Sequence, residues 1–357
     1  MEIRIVPLPA EKMKTKIADE TKLAFGKYFT DRMLMVEWKA GEGWCDPRIE
    51  PYAPFVLDPA ALVFHYAQEI FEGLKAYKWD DGRIALFRPE MNAKRFNRSA
   101  SRICMPNVPE DIFLNGIKKL VSLERDWIPT TPGTSLYIRP TLIAVEPVLG
   151  VKPSDHYYFY VIMSPVGAYY AAGFNPVNIL VEDHFVRAVV GGTGEAKTGG
   201  NYASSLMAAL EAKKKGYDQV LWLDGRERRY IEEVGAMNMF FVYGKKIVTA
   251  PLNGSILSGV TRDSVLTIAP TLGYEVEERQ IDVNDLMADI KNGAITEAFG
   301  SGTAAVITPV GKLCYQDEAL QLTGGKVGKT TQLFYDTLTG IQTGKLEDKF
   351  GWLQFVD

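Results

Sequence analysis

One lysine lies in the most glycine-dense stretch of the sequence: Gly191-Gly192-Thr193-Gly194-Glu195-Ala196-Lys197-Thr198-Gly199-Gly200-Asn201-Tyr202 sets five glycines around Lys197. Glycine permits the close backbone approach that a bound group requires. Gly191 through Thr198 nearly spells the nucleotide-phosphate loop G-x-x-x-x-G-K-[ST], but position 196 is Ala. Gly199-Gly200 would also fall in the first turn of the helix such a loop launches, at about 1 kcal/mol each. The plainest alternative is a solvated loop lysine, where most lysines belong. Three remote features favour other chemistry: Arg95 on a helix with Arg98 and Arg102, a helix start at Gly259-Val260-Thr261, and the run Gly300-Ser301-Gly302-Thr303. Helix N-termini and glycine-rich nests present free N–H groups that, with an arginine, suit a phosphate dianion. A lysine accompanied by a phosphate cradle suggests pyridoxal 5'-phosphate (PLP). Arg98 and Arg102 read as a solvated helix face.

Positioning these residues requires alternating strands and helices. Ile84–Phe87 reads as a strand closed by Arg88-Pro89, and residues 92–103 as a helix. Apolar spacing of Phe113, Ile117, Leu120 and Val121 predicts a helix over 110–126, interrupted in composition by Gly116. Strands follow at 135–145 and 156–163. The segment SPVGAYYAAGFNP, residues 164–176, sustains neither pattern and divides a small α/β domain, 1–165, from a strand-rich domain, 177–357, with an interdomain loop at 166–176. The second half predicts a strand at 177–181, a helix at 201–215, a strand at 219–223 and a hairpin at 237–249. A strand at 274–278, a helix at 284–291 and a strand-turn-strand across Gly300–Thr303 come next. The fold class is α/β with α+β character.

Composition limits the partners. Of 357 residues, 46% are hydrophobic and 24% charged, with a formal net charge of -4 and no basic run, so neither nucleic acid nor an anionic membrane surface is indicated. Small-molecule substrates are the expectation. Cys45, Cys104 and Cys314 and the histidines His65, His156 and His184 match no metal-ligand spacing, so no metal site is expected. The cysteine usage indicates a reducing compartment, and with no leader-like N-terminus and no apolar stretch of membrane-spanning length a cytoplasmic location is expected.

Six strings fall in a family's order: Phe71-Glu72-Gly73-Leu74-Lys75-Ala76-Tyr77; Leu86-Phe87-Arg88-Pro89 with Asn92 and Arg95; Ser135-Leu136-Tyr137-Ile138-Arg139-Pro140; Lys197 with Gly199-Gly200-Asn201-Tyr202; Glu233-Val234-Gly235-Ala236-Met237-Asn238; and Gly300-Ser301-Gly302-Thr303. From about residue 25 onward the chain resembles the branched-chain amino acid aminotransferases, class IV enzymes of PLP fold type IV, the D-amino-acid-aminotransferase-like fold. The resemblance implies that Lys197 carries PLP as a Schiff base and later moves the proton between substrate Cα and cofactor C4'. Both tasks need an amine that can be neutral, which desolvation and nearby cations promote. It also implies that Glu233 pairs with the pyridine nitrogen and keeps it protonated, while Glu232 is left at the surface. Tyr202 is matched to the donor toward the PLP 3'-oxygen. Arg95, Val260, Thr261 and Thr303 are matched to the phosphate, and Arg187 to a cofactor-side arginine.

By the same resemblance the substrate pocket is walled by Tyr66, Phe71, Tyr137 and Tyr169, whose apolar area would favour branched side chains. Ping-pong transfer brings glutamate or 2-oxoglutarate to the same pocket as leucine, isoleucine or valine. Arg139 is therefore expected to receive the distal carboxylate, and the Ala304 N–H the α-carboxylate. The cofactor is expected between the domains, and the protein is expected to be a homodimer or higher homo-oligomer, with Tyr66 to Phe71 and the loop before Leu149 approaching a neighbouring site. Two departures are visible: Ala304-Ala305-Val306-Ile307-Thr308 lacks the Cys-x-x-Cys of animal members, and position 236 is Ala where some members carry a hydroxyl. A D-amino-acid aminotransferase or aminodeoxychorismate lyase is the alternative within the fold, and a P-loop NTPase the alternative outside it.

Overall fold

Tyr, Ile, Leu, Val and Phe dominate Ser135–Ala144 and His156–Val166, and these residues suit the pleated backbone they adopt. The two strands pair antiparallel from Ser135↔Val166 to Ala144↔Tyr157 and form the centre of one sheet. A computed structural model describes residues 1–167 and 174–357. The chain divides into two units, one of Met1–Tyr169, Ala196–Gly199 and Ile341–Asp357, the other of Tyr170–Glu195 and Gly200–Gly340.

Among the described residues the first unit holds a nine-stranded sheet, almost wholly antiparallel. The helices Pro89–Arg102 and Glu110–Leu123 pack on it and on each other. Ile112, Phe113, Ile117, Leu120 and Val121 form the buried stripe of the second helix. Gly116 belongs to that stripe for a steric reason: a Cβ there would stand 2.6 Å from Leu34 Cδ2. Phe96, Phe113 and Phe159 meet at ring separations of 5.5 to 5.9 Å in the core. The helix ends at Leu123, short of the expected 126, because residues Arg125–Trp127 tighten into a 3-10 turn.

The second unit has its own nine-stranded sheet of mixed sense. Six of its strands, Ile231–Val234, Gln219–Leu223, Val177–Glu182, Val306–Tyr315, Glu297–Gly302 and Met237–Tyr243, close into a ring because the first also pairs with the last. Closure satisfies the edges of these strands and gives them a common apolar interior.

The chain path departs from the division at 165 and 177. Residues 196–199 and 341–357 return to the first unit, where Leu353–Val356 pairs with the strand Ile84–Phe87 and becomes the edge of the sheet. That pairing joins residues far apart in sequence, and local composition carries no sign of it. The expected helix over 201–215 is two helices, Gly199–Ser204 and Leu206–Lys214. Gly300–Gly302 is strand, paired with Asn238–Met239 and Val306–Thr308, so the turn falls at 303–305 and not across the glycines. No helix among the described residues is long and apolar enough to cross a membrane.

Candidate active site

In the first unit the strand Glu69–Phe71 holds the lysine segment along its main chain. Phe71 N donates to Lys197 O at 3.0 Å, Lys197 N to Ser99 Oγ at 2.9 Å, and Thr198 Oγ1 to Glu69 O at 2.8 Å. Gly199 opens the following helix against the Glu69 side chain, whose Oε1 would lie 1.9 Å from a Cβ there and would have to move aside. The glycine pair thus does occupy a first helical turn, which helix propensity alone disfavours; a Cβ at Gly200, unlike one at Gly199, would meet nothing within 4 Å. Lys197 Nζ lies 4.8 Å from the centroid of the Phe71 ring, and Arg139 Cζ lies 4.7 Å from the same ring. Arg139 Nη2 donates to Tyr137 Oη at 3.0 Å, as strand periodicity allows for residues two apart. Four expected residues, Lys197, Phe71, Tyr137 and Arg139, therefore form one cluster of two cations and two aromatic rings.

Adjacent to Phe71, Glu72 faces the opposite way, into the helix Pro89–Arg102. Its buried carboxylate receives Arg95 Nε at 2.6 Å, Arg95 Nη2 at 2.9 Å and Asn92 Nδ2 at 2.7 Å. Burial alone would raise its carboxyl, but Arg95, then Lys197 and Asn92, bring it below the ordinary carboxylate range. Sequence reading missed Glu72; a single buried arginine on a helix whose Arg98 and Arg102 lie closer to solvent is the signal that a carboxylate must oppose it. Lys75, on the next strand, is also buried, and desolvation lowers its ammonium to about 8.

Tyr66 stands apart from this cluster. It ends the short helix Leu62–Tyr66, is 42% exposed, and its hydroxyl donates to Leu149 O at 2.5 Å. Tyr169 lies outside the described residues.

In the second unit Glu233 pairs in register with Asn238 across the strands Ile231–Val234 and Met237–Tyr243. Glu233 Oε1 accepts from Leu257 N at 2.6 Å, and Oε2 is met by Arg187 Nε at 2.8 Å. Arg187 Nη1 continues to Ser255 O at 2.9 Å. Both oxygens of a buried carboxylate thus face donors, an arrangement only an acceptor satisfies. Arg187 is a clamp on Glu233. Glu232, expected at the surface, is buried as well, because its strand is covered on both faces; its Oε1 accepts from the Ser255 hydroxyl. Val260 and Thr261, both buried, open the helix Val260–Ile268, whose N-cap Gly259 supplies no side-chain cap to the first-turn N–H groups. Thr303 and Ala304 are half-buried in the turn between Glu297–Gly302 and Val306–Tyr315, and Tyr202 is half-buried on the helix Gly199–Ser204.

Among the described residues no group of three or more His, Cys, Asp or Glu could hold a metal ion. The family model for class IV amino-transferases matches residues 69–313. Branched-chain-amino-acid aminotransferase 2 of Bacillus subtilis (strain 168) is 54% identical over 334 residues, covering 94% of this chain and 92% of that protein. The crystal structure of Escherichia coli branched-chain amino acid aminotransferase superposes with a TM-score of 0.74 at 29% identity, covering 90% of this chain and 99% of the other. The branched-chain aminotransferase of the thermophilic archaeon Thermoproteus uzoniensis, solved with norvaline, gives 0.72 at 27% identity, covering 91% of this chain and 100% of the other.

Proposed function

The chain belongs to the class IV aminotransferase family, and from that premise we propose that it is a branched-chain amino acid aminotransferase that uses PLP. It exchanges the amino group reversibly between L-leucine, L-isoleucine or L-valine and 2-oxoglutarate. Its mixed α/β, two-unit architecture is that of fold type IV.

The observation that carries the reading is the Lys197 amine beside the Phe71 ring, on a main chain fixed by Phe71 and Ser99. The donor and acceptor set suits PLP: Glu233 is a buried acceptor for a pyridinium N–H, and the helix start at Val260 and Thr261, with glycine at its N-cap, suits a phosphate. When bound, PLP supplies an electron sink for the charge left at the substrate Cα. Lys197 would hold the cofactor through its amine and would serve as the base that moves the proton at the substrate Cα. Its flexible stem lets one nitrogen serve both tasks. Glu233, oriented by Arg187, keeps the pyridine nitrogen protonated. Tyr202 donates to the 3'-oxygen, and Thr303 and Arg95 add phosphate contacts. Phe71, Tyr137 and Tyr169 wall the side-chain pocket, and the Ala304 N–H receives the α-carboxylate. Tyr66, exposed and tied to Leu149, is assigned to the pocket of a neighbouring copy in a cytoplasmic homodimer serving branched-chain amino acid biosynthesis.

The test is the absorption spectrum of the purified protein. A visible cofactor band that L-leucine bleaches, and that Lys197→Ala lacks, is expected. A protein that stays colourless after incubation with PLP would overturn the reading. Turnover of D-alanine or aminodeoxychorismate in preference to L-leucine would move it to another member of the fold.

A further inference from the structure

The ring of the second unit carries a cavity of about 410 Å³ behind Glu232, lined by Val189, Val190, Pro251, Asn253 and Glu227 among others. That volume is within the range of small-ligand pockets, roughly 300–1,000 Å³. Glu232 is only 3% exposed, and its two oxygens differ: Oε1 accepts the Ser255 hydroxyl, while Oε2 is buried with no hydrogen-bond partner. An unpaired buried carboxylate oxygen is destabilising until a donor meets it. Asp224, which also lines the cavity, has no such deficit, since its oxygens accept the N–H groups of Arg226, Glu227, Arg229 and Tyr230.

We propose that this cavity is a second ligand site, taking a small molecule with an ammonium group for Glu232 Oε2 and an apolar tail for the valine rim. Three carboxylates, Asp224, Glu227 and Glu232, face one guanidinium, Arg226, in the lining, so a cation is the favoured occupant. Arg187 lies outside the lining and turns its Nε to Glu233, although its charge and the Asn253 side chain partly offset the burial of Glu232. The apolar part of the ligand meets Val189 and Val190, the latter 69% exposed at the rim. Burial raises the Glu232 carboxyl above its ordinary range, the direction that an incoming ammonium opposes. The site is distinct from the one assigned to the cofactor, because its lining contains none of Lys197, Tyr202, Glu233, Val260, Thr261 or Thr303.

The test titrates the PLP-loaded protein with N,N-dimethylisobutylammonium, which carries one N–H donor and cannot condense with an aldehyde, and reads binding by calorimetry. One saturable site per chain is expected, weakened about tenfold or more by Glu232→Gln, the loss of one charge-assisted hydrogen bond, with the visible absorption unchanged. Val190→Trp, a rim substitution that leaves Glu232 intact, is expected to weaken binding too, and isobutanol to bind more weakly than the ammonium. No saturable heat, binding that neither variant alters, or crystals soaked in the ammonium that show only water on Oε2 would overturn the proposal. The readout is binding and not turnover, so a failed aminotransferase assay and an empty cavity are separate results.

Discussion

Glu72 and Arg95 form a two-pronged ion pair out of reach of solvent, with Nε on Oε1 at 2.6 Å and Nη2 on Oε2 at 2.9 Å. The pair fixes the helix Pro89–Arg102 to the residue that follows Phe71, the ring on which Lys197 and Arg139 converge. Removing one partner strands a buried charge, so Arg95→Met is expected to lower stability by about 3–5 kcal/mol. Glu72→Gln/Arg95→Met is expected to cost less than the two single changes added together. Urea denaturation of the four proteins measures the coupling, and strictly additive losses would contradict it.

Lys75 gives stability a pH dependence of definite sign. Its folded ammonium titrates at about 8 against 10.5 for the free group, because burial disfavours the charge. Between these values the unfolded chain binds more protons, so this group makes stability rise with pH from about 8 to about 10.5, by on the order of 3 kcal/mol in total. Below about 8 both states are protonated and its contribution to the slope vanishes. Lys75→Met is expected to remove the rise; a pH series of denaturation curves with equal slopes for both proteins would count against it.

Glu233 is braced by Leu257 N and Arg187 before any ligand arrives. Glu233→Gln keeps the shape but loses the charge opposite the pyridine nitrogen, and kcat with L-leucine is expected to fall about 10²–10³-fold. Steady-state kinetics decide it, and an unchanged kcat would remove Glu233 from the mechanism.

Arg139 leans on Phe71 and Tyr137, with Nε buried and without a hydrogen-bond partner. That donor suits the distal carboxylate of a dicarboxylic substrate. Arg139→Met is expected to reduce kcat/KM for 2-oxoglutarate about 10–100-fold, in line with the loss of a charged hydrogen bond, and to affect leucine far less. Equal losses for both substrates would show that Arg139 supports the pocket and does not select the substrate.

Much of the secondary structure was legible because its signals are local. The apolar stripe of Glu110–Leu123 and the strand Ile84–Phe87 before Pro89 each depend on neighbours within a few residues. Glu232 was misread for the converse reason: its burial follows from a ring closed by Ile231–Val234 against Met237–Tyr243, and nothing within its own strand separates it from a surface glutamate. The glycines at 300 and 302 looked like a turn, yet register with neighbouring strands keeps them extended.

The sequence by itself determined the chemistry on offer: a lysine among glycines, a Glu-Val-Gly-Ala-Met-Asn run, and a helix start at Gly259 are fixed by residue type and spacing. Tertiary structure decided which groups those residues meet. Lys197 is held by Phe71 and Ser99, Arg95 by Glu72, and Glu233 by Arg187 and Leu257, all partners many positions away. Hydrogen bonds and ion pairs depend on distance in space, and only the folded chain sets that distance.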